Sequence, residues 1–239
     1  MIRKAFILSS KICLILLLIA STSCEYPRDP ENTLNHVRGG TLIVGISENE
    51  PWTKKVNGSP SGIEVQLVQQ LADELNTKII WRWGLLEENL LALENYELDL
   101  VIAGMTKATP WRTKVGLTKP YYSNDFVVGV PRGTEHLNAI KGKTVAFKDG
   151  SNVLIYLKDK NAKPLPLRNP FTYKGPVAAP RWQLKKRGFK PTNILLHTDE
   201  HVLAVPPGEN AWLTEIDRFL HKNSPGIDDR LSEEITNED

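Results

Sequence analysis

Ser151 and Asn152 follow Gly150 where a helix is expected to open and run to Leu157. A helix start presents amides without intrahelical acceptors, and the aligned peptide dipoles favour an anion there. Ser151 is equally suited to cap that helix with its own hydroxyl, and the two roles are compatible. Trp52, next to Pro51, offers an aromatic wall, and Glu48 and Glu50 just before it offer carboxylates to a cationic group. Trp81 and Trp83 alternate with Arg82 as strand residues do, which assigns them to a core or a sheet face. His36, His136, His197, His201 and His221 show no metal-ligand spacing. The sequence contains no Gly-rich phosphate loop and no Gly-x-Ser-x-Gly elbow. These residues suit the holding of a small polar molecule, with no metal, no cofactor and no enzymatic centre.

The chain of 239 residues carries 30 Lys and Arg against 28 Asp and Glu, a net +2, which argues against nucleic acid or an anionic membrane surface as partner. The N-terminus is different in character. Arg3 and Lys4 precede an apolar run, Ile12 to Ala20, followed by Ser21, Thr22, Ser23 and Cys24. That order is the grammar of a signal peptide over residues 1–23, and the run is shorter than the ~20 residues a transmembrane helix needs. Cleavage before Cys24 removes Cys13, so Cys24 has no disulfide partner.

Residues 24–38 contain Pro27 and Pro30 and no period, the composition of a flexible tether. Thr41 to Ile46 reads as a buried strand. Ser61 and Glu64 have capping-box spacing ahead of Ile63, Leu67, Leu71 and Leu75, with Asn76 as the stop. Lys78–Trp83 is a strand, Glu87–Leu93 a helix and Leu98–Ala103 a strand, an alternation that builds parallel sheets. Ligands of such sheets bind beyond the carboxyl ends of the strands, here the loops Ser47–Trp52, Trp83–Leu86 and Gly104–Arg112. A second round follows, with strands at 126–130, 143–147 and 163–167. Residues 168–180 read as loop, 178–187 as a basic helix, and 193–196 and 201–205 as two separate strands. Trp212, Ile216, Phe219 and Leu220 share one face of a final helix, and 227–239 reads as a frayed acidic tail.

The segments GTLIVGISENEPWT, GIEVQLVQQLADEL and ELDLVIAGMTKATPWRTKVGLTKPYY together resemble family 3 of the bacterial extracellular solute-binding proteins. GKTVAFKDGSNVLIYL and HVLAVPPGENAWLTEIDRFL resemble the family's second lobe and its return to the first. The resemblance implies an α/β fold of the type II periplasmic binding protein kind, each lobe a mostly parallel sheet flanked by helices. It divides the chain into 39–122 and 199–226 for the first lobe and 123–198 for the second, with crossings near Tyr122–Phe126 and Thr198–His201. TYKGPVAAPRW stands where the family has an Asp-bearing strand before a Pro-Val-Ala helix, so the second lobe is expected to lack a strand and a helix.

By the same resemblance, Gly104 and Thr106 hold a ligand's amino group and carboxylate, and Arg112 grips the carboxylate through its planar pair of donors. Arg112 lies one residue beyond the family spacing, with Trp111 at the expected place. Ser151 and Asn152 meet the carboxylate from the second lobe. Cys24 resembles the lipidated cysteine of a lipobox, although Ser21 replaces the usual Leu; ordinary cleavage among the small residues is the alternative. The resemblance implies a monomer in the periplasm, held to the membrane by the lipid alone. It would capture an amino acid or related organic ion by hinge closure and deliver it to the permease of an ABC importer. A degenerate or sensory relative without transport and a dehydratase-like enzyme of the same fold are the competing expectations.

Overall fold

The computed structural model describes residues 28–134 and 137–236. The signal-peptide region, Cys24 and His136 lie outside the described residues. The first lobe contains α1 (Thr33–Val37), β1 (Thr41–Ile46), β2 (Lys54–Val56), β3 (Ser59–Ser61), α2 (Ile63–Leu75), β4 (Lys78–Trp83), α3 (Leu86–Glu94), β5 (Leu100–Ile102) and β6 (Gly116–Leu117). The second contains β7 (Tyr122–Pro131), β8 (Thr144–Lys148), α4 (Val153–Asp159), β9 (Lys163–Leu167), β10 (Val177–Pro180), α5 (Arg181–Lys186) and β11 (Phe189–His201). The chain then adds β12 (Ala204–Val205), α6 (Asn210–Asn223) and α7 (Ile227–Thr236) to the first lobe.

Each lobe holds a 5-stranded sheet, ordered β4-β1-β5-β12-β6 in the first and β11-β7-β10-β8-β9 in the second. In each sheet a single strand runs against the other four: β12 in the first, β7 in the second. Those are the strands by which the chain enters each lobe from the other. Alternate residues of a strand fall on opposite faces, so Val127, Ala146 and Val177 pack in one apolar cluster and Val128, Val145 and Ala178 in another. Both faces of the sheet are therefore covered, as parallel sheets require.

The expected missing strand is not missing. Val177–Pro180 is the central strand of the second sheet, parallel to β8 and antiparallel to β7, with Pro180 opposite Phe126. Three residues between Pro176 and Pro180 are too few for a period to show, which is why the segment reads as loop. The basic helix is shorter than expected, since α5 begins only at Arg181. The two expected strands at 193–196 and 201–205 are also revised: 189–201 forms one long bulged strand, and the chain pairs again only at Ala204–Val205.

Two charged stretches order the chain ends. The Asp29 carboxylate accepts the amides of Ala211 and Trp212 at the start of α6, at 2.7 and 3.1 Å. Glu209 returns the arrangement, accepting the amides of Glu31 and Thr33 at the start of α1, at 2.8 and 3.0 Å. Each helix start thus has its orphan donors met by a carboxylate from the other's approach segment. Residues 28–38 are consequently folded against α6, not a free tether. The expected tail is likewise the helix α7, because Ile227 and Leu231, four residues apart, bury one face.

The lobes share apolar contact as well. Trp182 of α5 is buried in the same cluster as Leu42, Ile63, Ile227 and Leu231 of the first lobe, and α5 packs on α7.

Candidate functional site

β7 and β11 form the crossing between lobes. Tyr122 pairs with His201, Ser123 with Glu200, Asn124 with Asp199 and Asp125 with Thr198. The Gly104–Thr106 loop is tied to this ribbon by its backbone: Thr106 bridges His201, Lys107 N donates to Glu200 O at 2.8 Å, and Val202 N donates to Met105 O at 3.0 Å. A loop at the carboxyl end of β5 therefore cannot shift without moving the second crossing strand.

Beneath that loop lies a cluster that begins with Glu64. The expected capping box does not form: Ser61 belongs to β3, Gly62 precedes α2 without a side-chain cap, and Glu64 is fully buried. Its carboxylate accepts the Gly104 amide at 2.8 Å and the Tyr121 hydroxyl at 2.7 Å. Burial raises the Glu64 pKa to about 7, with those donors only partly opposing it. Burial, with Glu64 beside it, also pushes the Tyr121 phenol well above its ordinary range. The sequence carried a signal for this role. Glu64 lies on the apolar stripe that includes Val68, Leu71 and Leu75, where a carboxylate is out of place unless partnered.

Trp52 is 5% exposed and packs on His201 with ring centroids 3.9 Å apart and planes tilted by 34°. Tyr122 lies 5.6 Å and Tyr121 6.3 Å from the same indole. Gly104 has φ +61°, and a Cβ on it would lie 2.3 Å from Trp52 Cδ1, so only glycine lets strand end and indole meet. His201 is buried, with neither ring nitrogen hydrogen-bonded among the described residues. Burial lowers its pKa to about 4, so the imidazole is neutral at pH 7. His197, four residues earlier, is stacked instead between Phe126 and Tyr156, at 4.4 and 4.3 Å. Among the described residues no His, Cys, Asp and Glu group could hold a metal ion.

The sequence-derived site residues are not all equivalent in this setting. Trp52, Gly104 and Thr106 converge beside the crossing, but the Trp52 ring is spent on packing and the Gly104 amide on Glu64. Arg112 is exposed on a 3-10 turn, Pro110–Thr113, and its side chain has no hydrogen bond or ion pair among the described residues. Glu48 and Glu50 are exposed in the loop after β1. At the end of β8, the Ser151 amide donates to Lys148 O, its buried hydroxyl has no partner among the described residues, and Asn152 is exposed. Arg112 thus keeps an unpaired guanidinium among the described residues, and the Gly104–Thr106 loop leads by its backbone directly into the crossing.

The family of bacterial extracellular solute-binding proteins, family 3, matches residues 42–226. Among curated relatives, the arginine-binding extracellular protein ArtP of Bacillus subtilis is 28% identical over 113 residues, 46% of this chain and 44% of that protein. The L-cystine-binding protein TcyJ of Escherichia coli K12 is 28% identical over 148 residues, 59% of this chain and 55% of that protein. The chain thus spans about half the length of the curated relatives it matches. Among solved structures, the unliganded open L-cystine solute receptor of Neisseria gonorrhoeae superposes with a TM-score of 0.69 at 18% identity, covering 84% of this chain and 95% of the receptor. An ancestral cationic amino-acid solute-binding protein gives a TM-score of 0.64 at 22% identity, covering 84% and 98%. With two lobes of mostly parallel sheet joined by a paired crossing, and with the family matched over most of its length, the chain belongs to the family 3 bacterial extracellular solute-binding proteins.

Proposed function

We propose that the chain is the solute-binding component of an ABC importer, which captures an amino acid or related organic ion between its lobes and presents the closed form to a membrane permease. The observation that carries this reading is the backbone linkage of the Gly104–Thr106 loop to β11. A guest seated on that loop acts on the crossing through hydrogen bonds already in place, which is the coupling that hinge closure requires. Arg112 is proposed to take the guest's carboxylate, Thr106 to hydrogen-bond it, and Ser151 and Asn152 to meet it from the second lobe. Glu48 stands at the rim for a cationic group.

Thermal-shift measurements of the full chain against amino acids, organic acids and polyamines test the reading, with arginine and L-cystine first because relatives are named for them. A ligand at 100 times its Kd stabilises the fold by about 2.7 kcal/mol. Arg112→Ala and Thr106→Ala are each expected to weaken binding by about 10-fold, the size of one charge-assisted hydrogen bond. Unchanged affinity in both variants would place the guest on another loop.

A relative that keeps the fold without transport is the second reading. Trp182 favours it, since an indole buried between lobes resists their separation. A panel that shifts nothing supports this alternative over the receptor. Export and anchoring through Cys24 complete the proposal: the mass of the membrane-extracted chain should equal the sequence from Cys24 plus acyl groups, and an unacylated N-terminus refutes the anchor.

A further inference from the structure

A cavity of about 290 Å³ opens beside the crossing, and no residue of the Gly104–Thr106 loop lines it. It is lined from three directions: Tyr122, Ser123 and Asp125 of β7, Arg181 at the first position of α5, and Ser224 and Asp228 around the start of α7. Its volume is near the lower bound of small-molecule sites, about 300 Å³. The walls carry charges of both signs on elements of both lobes.

These charges are incompletely used. Tyr122 Oη donates to Asp228 Oδ1 at 2.6 Å, which fixes that carboxylate and leaves Oδ2 without a hydrogen bond among the described residues. Asp125 Oδ1 accepts the Thr198 hydroxyl at 2.8 Å. Arg181 Nη2 reaches Asp125 Oδ2 only at 3.5 Å, the limit of a hydrogen bond, and the guanidinium has no other hydrogen bond or ion pair among the described residues. The Arg181 and Asp125 side chains are both 37% exposed, so a solute can reach them.

We propose that this cavity binds a small zwitterion, its carboxylate on the Arg181 fork and its ammonium between Asp125 and Asp228. A planar guanidinium with unused N–H groups matches two carboxylate oxygens. A simple anion would meet two carboxylates beside the one guanidinium, and a simple cation would meet Arg181; a molecule with both charges a few ångströms apart satisfies all three. Because Arg181 moves with the second lobe and Asp228 with the first, an occupant also links the lobes at the hinge. The inference rests on the receptor reading for the kind of solute the protein encounters, and it assigns a site that shares no lining residue with the Ser47–Trp52, Trp83–Leu86 and Gly104–Arg112 loops.

Isothermal titration calorimetry of the full chain at pH 7 tests it with four probes: L-alanine, L-lysine, propionate and ethylamine. At least one of the two amino acids is expected to bind, with propionate and ethylamine each at least 10-fold weaker. Arg181→Gln and Asp228→Asn are each expected to weaken amino-acid binding at least 10-fold while the far-ultraviolet circular dichroism is unchanged; Asp228→Asn keeps an acceptor for Tyr122. Should neither amino acid bind, the zwitterion site is overturned. Binding that both variants leave intact also overturns it but spares the receptor reading, because the guest then sits elsewhere. Silence across the wider panel would remove both.

Discussion

Replacing Glu64 by glutamine is expected to tilt the pH dependence of stability upward relative to the wild type, and replacing His201 by phenylalanine to tilt it downward. Glu64 has its pKa raised by burial from 4.5 to about 7, so the folded state holds this proton over a range in which the unfolded state has lost it. Its contribution is complete below pH 4.5 and declines as pH rises to about 7. His201 has its pKa lowered by burial from 6.5 to about 4, so the unfolded state takes up this proton first as the solution is acidified. Its contribution is complete above pH 6.5 and is lost as pH falls to about 4. Each shift corresponds to about 3 kcal/mol across its window, and the two have opposite sign. They therefore nearly cancel in the wild type between pH 4.5 and 6.5. Urea unfolding at a series of pH values reads the difference curves: the Glu64→Gln variant minus wild type should rise by about 3 kcal/mol, and His201→Phe minus wild type should fall by about as much. Curves parallel to the wild type would mean that neither group titrates in the folded cluster as its burial implies.

Trp212→Ala should be the most damaging truncation in the first lobe. The indole is fully buried, and its Nε1 donates to Asp99 O at 2.7 Å. The Asp99 carboxylate in turn accepts the Ile43 amide at 2.7 Å and lies 2.8 Å from His36 Nε2. One side chain thus joins α6 to the approach to β5, and through Asp99 to β1. Removal leaves a cavity worth about 3–5 kcal/mol and an orphaned carbonyl worth about 1–3 kcal/mol more. Against a typical total of about 5–15 kcal/mol, the variant is expected to melt at least about 10 °C lower. Trp212→Phe keeps most of the volume and loses the hydrogen bond, so its cost should be about 1–3 kcal/mol. Equal melting of Trp212→Phe and wild type would show that the bond to Asp99 adds nothing beyond packing.

Several elements were legible because their determinants are local. Thr41–Ile46 is six consecutive residues suited to a buried strand, and it pairs on both sides. Asn76 ends α2 in the left-handed conformation at φ 50°, which asparagine tolerates better than most residues. Trp212, Ile216, Phe219 and Leu220 recur at helical spacing, and all four are buried on α6. The stretches Tyr122–Phe126 and Thr198–His201, singled out by family resemblance, are paired neighbours in the crossing.

Where long-range contacts compete with local pattern, the sequence was a poor guide. Ser61 and Glu64 have the spacing of a cap, but Gly104 and Tyr121 supply stronger partners for the carboxylate from 40 and 57 residues away. Val177–Pro180 is a strand because β7 and β8 stand on either side of it, not because four residues express a period. Helix α7 and residues 28–38 are ordered by what they dock against.

The sequence by itself therefore determined the alternation of strands and helices and the loops at the strand ends, since apolar period, glycine placement and helix stops act within a few residues, while the division into two lobes came from family resemblance. Tertiary structure alone decided that Trp52 is a packing residue, that Glu64 secures the Gly104 loop, and that Arg181 meets Asp125 and Asp228 around one cavity. Burial and charge pairing depend on which distant segments arrive together, and that information is absent from the spacing of residues along the chain.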